Sequence, residues 1–253
     1  MKTLLFISIT ILTIYPLKMS AQEETPLNIL AFSKTEGYRH AVIPQSLVTL
    51  GEMAEQNPWQ VRATEDSLMI NKNSLDTIDV VVLLHTTGDI LGEPQQNALK
   101  KFVMNGGGLV ALHSGTITEN DWPWFVDAVG GKFVGHPPSQ KGKLTIEDRD
   151  HPATKHFPDS TWITTDEWYS FDRNPREDVQ VLISIDENSY DVDDDRWFEG
   201  AEQRMGDHPL VWCKTQGKGR VFQTALGHEP ELYENPLFLE HLKGGILWSS
   251  GLE

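Results

Sequence analysis

Gly106-Gly107-Gly108-Leu109-Val110-Ala111-Leu112-His113-Ser114-Gly115 is the stretch from which the fold of this chain is read. Leu109 to Leu112 is a continuous apolar run, long enough for one strand buried on both faces. Three glycines precede it and a polar, glycine-containing turn follows. Phe125, Val126 and Val129 stand at helical spacing and predict a helix from near Asp121. Strand, sharp turn and helix together lift His113 and Ser114 above the carboxyl edge of a parallel sheet. An ordinary strand-to-helix turn with a capping serine gives the same local pattern, so the rest of the chain has to decide.

Working outward, Leu27–Phe32 reads as a first buried strand, followed by a loop with Glu36, Tyr38, Arg39 and His40. Pro44 marks a helix start, with Ile43, Leu47, Leu50 and Ala54 as its apolar stripe. Trp59–Ala63 and Val80–Leu84 are further strands, the latter capped by the polar loop from His85 to Asp89. Pro94 opens a helix with Leu99, Phe102 and Val103 on one face, and Gly106 closes it. This alternation implies right-handed crossovers and a parallel sheet covered on both faces. The second half is less regular. Lys132–Val134 and Lys143–Glu147 read as strands around Gly135-His136-Pro137, and Val179–Ile185 as another. Leu210–Lys214 and Arg220–Thr224 suggest an antiparallel pair, and Pro236–Trp248 a last helix. Asp193, Asp194 and Asp195 lack the spaced ligands of a calcium loop and read as a solvated turn.

The first 21 residues carry the order of a secretory signal peptide: Lys2, an apolar Leu4–Leu17, then Met19-Ser20-Ala21. Residues 22–253 are then one domain, expected in the periplasm or outside the cell, with no membrane contact after cleavage. Removing Lys2 and Lys18 takes the net charge from -16 to -18, which argues against nucleic acid or an anionic membrane as partner. Cys213 is the sole cysteine, lies in the apolar run Leu210–Cys213, and is expected to be buried. Eight tryptophans offer either core volume or flat faces for a carbohydrate.

An ordered series of motifs narrows the reading: Gly37-Tyr38-Arg39-His40, Thr87-Gly88-Asp89, Gly106-Gly107-Gly108 with His113, Asp121-Trp122-Pro123-Trp124 and Gly135-His136-Pro137. Asp166-Glu167-Trp168-Tyr169, Asn174-Pro175-Arg176, Asp207-His208-Pro209, Gly219-Arg220 and Gly227-His228 follow. Together they resemble the ThuA-like (trehalose utilisation) family over about residues 27 to 251. The resemblance implies a class I glutamine amidotransferase-like, flavodoxin-like α/β sandwich of three layers. Its sheet is mostly parallel, with extra antiparallel strands in the second half. It also implies a role in using disaccharides, including sugars oxidised to the 3-keto form. One departure is informative: true amidotransferases place a nucleophilic cysteine at the turn after this strand, where His113 and Ser114 stand here. Glutaminase activity is therefore not expected. The turn also lacks the glycine two residues before Ser114 that a serine-hydrolase elbow wants.

His40, His85 and His113 each follow a parallel strand, so all three should share one sheet edge. His136, His208 and His228 sit in glycine- or proline-flanked loops, with Asp89, Asp166 and Glu167 among the carboxylates. Imidazole and carboxylate groups suit a divalent zinc, manganese or iron site, expected on His40, His113 and His136. They equally suit acid–base work on a sugar, with His113, His40, Glu167 and His228 as catalytic groups. Tyr38, Arg39, His85, Asp89, Ser114, Trp122, His136, Asp166, Trp168 and His208 are the expected substrate contacts. His151 and His156 read as surface residues, and His241 as structural. Two functions remain open: an enzyme that isomerises, eliminates from or hydrolyses a disaccharide or its 3-keto derivative, and a non-catalytic sugar-binding accessory module.

Overall fold

The computed structural model describes residues 25–252, so the expected leader lies outside the described residues. The first half alternates as the apolar runs predict: β1 (Leu27–Phe32), α1 (Ile43–Gln56), β2 (Trp59–Thr64), a one-turn α2 (Lys72–Leu75), β3 (Val80–Leu84), α3 (Glu93–Met104) and β4 (Gly108–Leu112). A 3₁₀ turn over His113–Ile117 then leads to α4 (Pro123–Val129). That helix starts two residues later than expected, because Pro123 takes its first turn and Trp122 stays extended.

The second half supplies β5 (Phe133–Gly135), β6 (Gln140–Ile146), β7 (Thr161–Asp166), β8 (Ser170–Phe171), β9 (Gln180–Ile185), β10 (Pro209–Gln216), β11 (Gly219–Thr224) and α5 (Pro236–Ser250). Nine strands form one sheet in the order β2-β1-β3-β4-β11-β10-β9-β6-β7. β2, β1, β3, β4 and β11 pair in parallel, and the remaining four strands are antiparallel. The expected β10–β11 hairpin is present, but β11 also docks parallel on β4. The segment after β11 thereby reaches the same carboxyl edge as the segment after β4.

Side chains alternate across the parallel strands into two cores. Ile29, Ala31, Val82 and Val110 pack with Ile43 and Leu50 of α1 and Phe238 and Ile246 of α5. Leu30, Phe32, Val81 and Leu109 pack with Leu99 and Val103 of α3 and Phe125 of α4. Continuous apolar strands are what a sheet covered on both faces requires. Gly108 is fitted to this packing, since a Cβ there would lie 2.5 Å from the Ser249 carbonyl of α5.

Thr161–Asp166 is the edge strand β7, whose alternating burial turns Thr161, Ile163 and Thr165 to solvent and Trp162 and Asp166 inward. His151 is buried rather than on the surface, its Nε2 lying 3.6 Å from Cys213 Sγ. His156 is half-buried, and its Nε2–H donates to the Leu237 carbonyl at 2.8 Å. Cys213 is fully buried in β10, as its apolar neighbours imply. No helix among the described residues is long and apolar enough to cross a membrane.

Candidate active site

β3, β4 and β11 end level with one another, Leu84 beside Leu112 and Leu112 beside Thr224. The residues that follow, His85, His113 and Ala225, therefore emerge at one place. His85 and His113 both adopt left-handed backbone, with φ of 53° and 50°. A non-glycine residue pays for that conformation, and it persists only where its surroundings hold it. The His113 Nδ1–H donates to the Ala225 carbonyl at 2.7 Å, which ties the β4 turn to the end of β11. Gly115 permits the tight turn that follows, for a Cβ there would stand 2.5 Å from the Leu83 carbonyl.

Hydrogen-bond partners fix several protons. A carbonyl only accepts, so Nδ1 of His113 carries a hydrogen, and Nε2 faces the Tyr169 hydroxyl at 2.8 Å. His136 Nδ1 likewise donates to the Pro137 carbonyl at 2.9 Å, leaving its Nε2 bare. Each of these two Nε2 atoms lies 3.5 Å from Glu167 Oε2. His228 Nδ1 lies 3.0 Å from the same oxygen. Glu167 Oε2 and His228 Nδ1 are buried, and neither has a properly aligned hydrogen-bond partner. His85 is settled by the same reasoning. The Ser46 hydroxyl donates to the Val42 carbonyl and the Tyr233 hydroxyl to the Gly227 carbonyl. Both oxygens must then accept from His85 Nε2–H, and its Nδ1 is left without a partner.

The electrostatics follow from this crowding. Burial, with the His113 and His228 rings beside it, pushes the His40 imidazole down to about 3. Burial likewise depresses His136, against the pull of Glu167, and holds His85 well below the ordinary histidine value. Desolvation by itself would raise the Glu167 carboxyl, but the His113 and His228 contacts hold it well below the usual range. His228 is lowered by burial and raised more by Glu167, ending above its ordinary value. Burial lifts Asp166 to about 6 despite the backbone N–H groups that bind it.

Donor atoms of His40, His113, Glu167 and His228 all lie within 4.8 Å of one another. Three imidazoles and one carboxylate in that space are the ligand types of a zinc, manganese or iron site. The fit is supported by a buried carboxylate oxygen without a hydrogen-bond partner, 3.5 Å from His113 Nε2 and 3.0 Å from an equally unpartnered His228 Nδ1. The His113 Nδ1–H to carbonyl bond is the outer-shell contact that orients a ligating imidazole. Of the three expected metal ligands, His40 and His113 belong to this set. His136 stands beside Glu167 but outside it.

His40, Glu167 and His228 of this cluster line a cavity of about 450 Å³ together with Tyr38, Ile117, Phe133, His136, Tyr169, Trp197 and Phe198, while His113 lies fully buried behind the lining. Several expected contacts do not line it. Arg39 pairs with Glu65 at 2.6 Å on the surface, and Asp89 is exposed elsewhere. Trp122 packs against Trp124 and Phe125 over α4, and Trp168 is core, close against Gly142. Ser114 is fully buried, its Oγ 3.2 Å from His40 Nδ1, so it anchors that ring. Asp166 spends both oxygens on the N–H groups of Glu167, Gly227 and His228. His208 sits behind the wall, its Nε2–H donating to the Tyr169 carbonyl and its Nδ1 3.0 Å from Glu187 Oε1. His85 underlies His40 and His113 at ring-centre distances of 5.6 and 5.5 Å, outside the lining.

Phe133, Trp197, Phe198 and Ile117 are lining residues that sequence reasoning missed. An aromatic pair inside the acidic segment Asp191–Glu199 was the available signal, since a solvated turn has no use for Trp197-Phe198.

The family model described as trehalose utilisation matches residues 28–249. A ThuA-like protein from Bacteroides uniformis superposes with a TM-score of 0.76 at 22% identity, over 91% of this chain and 94% of its own. A second, from Parabacteroides merdae, gives 0.69 at 20% identity, over 89% and 90%. A β-galactosidase from Bacillus circulans aligns with 88% of this chain but only 31% of its own, with a TM-score of 0.52 at 13% identity. At these identities the likeness is one of fold. No curated protein matches the chain.

Proposed function

Because this chain belongs to the trehalose-utilisation (ThuA) family, we propose that it transforms a disaccharide or its 3-keto derivative at the histidine–carboxylate floor of its cavity. The observation that carries the reading is the gathering of donor atoms of His40, His113, Glu167 and His228 within 4.8 Å of one another, around a Glu167 Oε2 that has no hydrogen-bond partner. Lone pairs so placed call for a cation, and His40, His113, His228 and Glu167 would hold a divalent metal there. Bound in that set, the metal supplies a Lewis acid for the sugar's carbonyl or hydroxyl oxygen.

The protein's own groups account for the remaining work. Glu167 stays ionised and His40 neutral, the states in which each offers a lone pair. His136 lines the cavity outside the four-donor set, with Nε2 bare. It is placed to take the proton from the carbon next to a 3-keto group, which that carbonyl acidifies. Return of the proton elsewhere gives isomerisation; loss of the glycosidic oxygen from the adjacent carbon gives elimination. Neither route needs a nucleophile. This agrees with Cys213 buried in β10 and with Ser114 bound to His40, and glutamine hydrolysis is not part of the reading. The order of residues 1–21 supports a periplasmic or secreted place of action.

The test is product formation from trehalose and 3-keto-trehalose, with metal content measured on the same samples. Wild type, His113→Ala and Glu167→Gln are compared with and without added zinc, manganese or iron(II). Both variants should lose metal, and turnover should fall roughly a hundred- to ten-thousand-fold. Turnover indifferent to chelator and to both substitutions would remove this centre from the chemistry. Sugar binding without turnover would assign the protein to accessory sugar binding.

A further inference from the structure

Seven large hydrophobic side chains stand exposed among the described residues, and only two of them are aromatic: Tyr38 at 67% and Trp197 at 54%. Scattered exposed hydrophobics need no explanation, but these two rings come from segments far apart in sequence and line the same cavity. Each is braced edge-on against a histidine of the site. Tyr38 meets His40 with ring centres 4.8 Å apart, and Trp197 meets His136 at 5.6 Å.

Both segments are held in place. The Thr87 hydroxyl donates to the Tyr38 carbonyl at 2.9 Å. Around Trp197, the Phe198 N–H donates to the Asp195 carbonyl, the Ala201 N–H to the Phe198 carbonyl, and the Gln203 amide to the Asp194 carbonyl. These rings are therefore preorganised surfaces, which lowers the ordering cost of binding.

The cavity thus changes character along its depth. Its floor holds Glu167 and the imidazoles, its walls Phe133, Tyr169 and Phe198, and its most exposed lining Tyr38 and Trp197. A pyranose ring carries C–H bonds on its faces and hydroxyls around its rim, so it suits a flat aromatic partner in water. One ring at the floor would place its reacting carbons beside His136 and Glu167. A second ring would extend toward the exposed aromatics.

We propose that Tyr38 and Trp197 form a separate subsite for the second sugar ring, making the protein selective for glycosides over free monosaccharides. The inference rests on the sugar reading given above. The two rings act through the departing or distal unit, and the floor groups through the reacting one.

Calorimetric titration of wild type, Tyr38→Ala, Trp197→Ala and Trp197→Phe with trehalose, 3-keto-trehalose and glucose tests this, with thermal melts on each protein. Each alanine variant should melt like wild type and bind the disaccharides roughly three- to tenfold more weakly, the size of one aromatic contact. Glucose affinity should change less than twofold, and Trp197→Phe should retain most disaccharide affinity. Equal losses for glucose and the disaccharides, or no loss for either, would overturn the second subsite while leaving the sugar reading intact. Failure of wild type to bind any of the three sugars would overturn both.

Discussion

Replacing Asp166 with alanine separates positioning from stability at this site. Its buried carboxylate accepts the N–H of Gly227 at 2.7 Å, His228 at 2.9 Å and Glu167 at 3.0 Å. Alanine leaves the Gly227, His228 and Glu167 donors without this acceptor. Each orphaned donor costs roughly 1–3 kcal/mol, so about 3–9 kcal/mol together. Against this, burial has lifted the Asp166 carboxyl from 3.8 to about 6. Holding it ionised at neutral pH costs about 3 kcal/mol, which alanine removes. The net change in stability should therefore lie between near zero and about 6 kcal/mol of destabilisation. The effect on His228 should be larger in consequence, because both N–H groups that aim its loop lose their anchor. Outer-shell losses of this kind weaken a metal site about ten- to a hundredfold. Zinc affinity by competition with a chromophoric chelator, alongside urea denaturation, measures both quantities. Wild-type zinc affinity in a well-folded Asp166→Ala protein would refute the positioning argument.

Two further outcomes follow from burial and close packing. His40 and the fully buried His241 are both held down to about 3, so below 6.5 the unfolded chain takes up protons that the folded chain refuses. Each histidine then costs about 1.4 kcal/mol of stability per pH unit on acidification. Asp166 acts in the opposite sense between about 6 and 3.8, keeping a proton the unfolded chain has released, and offsets one of the two. His85, pushed down by burial, adds to the loss. Urea midpoints should therefore fall steadily from pH 6.5 to pH 4, and a constant midpoint over that range would contradict the assignment. Gly115→Ala would press a Cβ against the Leu83 carbonyl, costing roughly 1–3 kcal/mol and lowering the melting temperature by about 2–12 °C. An unchanged melt would show that the turn after β4 relaxes freely.

The parallel half of the fold was written in local sequence. Runs such as Val80–Leu84 and Leu109–Leu112 are apolar at every position because both faces of their strands are covered, and that pattern needs no partner to be recognised. The same locality placed His40, His85 and His113 beyond strand ends, and hence at one edge. The edge strand β7 was not legible, since one residue in two faces solvent and Thr-rich polar sequence there resembles loop. Family motifs brought Glu167 and His228 into consideration, but only tertiary structure joined them to His40 and His113. That joining depends on β11 docking parallel on β4, a long-range pairing with no signature in either strand. The motifs also overreached. Arg39, Trp122, Trp168 and His208 have the residue types of a sugar site, yet their partners are Glu65, the α4 aromatics, the core and Glu187. Residue type states what a side chain can do. Which way it faces is set by packing across elements distant in the chain, and that was decided only when the sheet closed around the cavity.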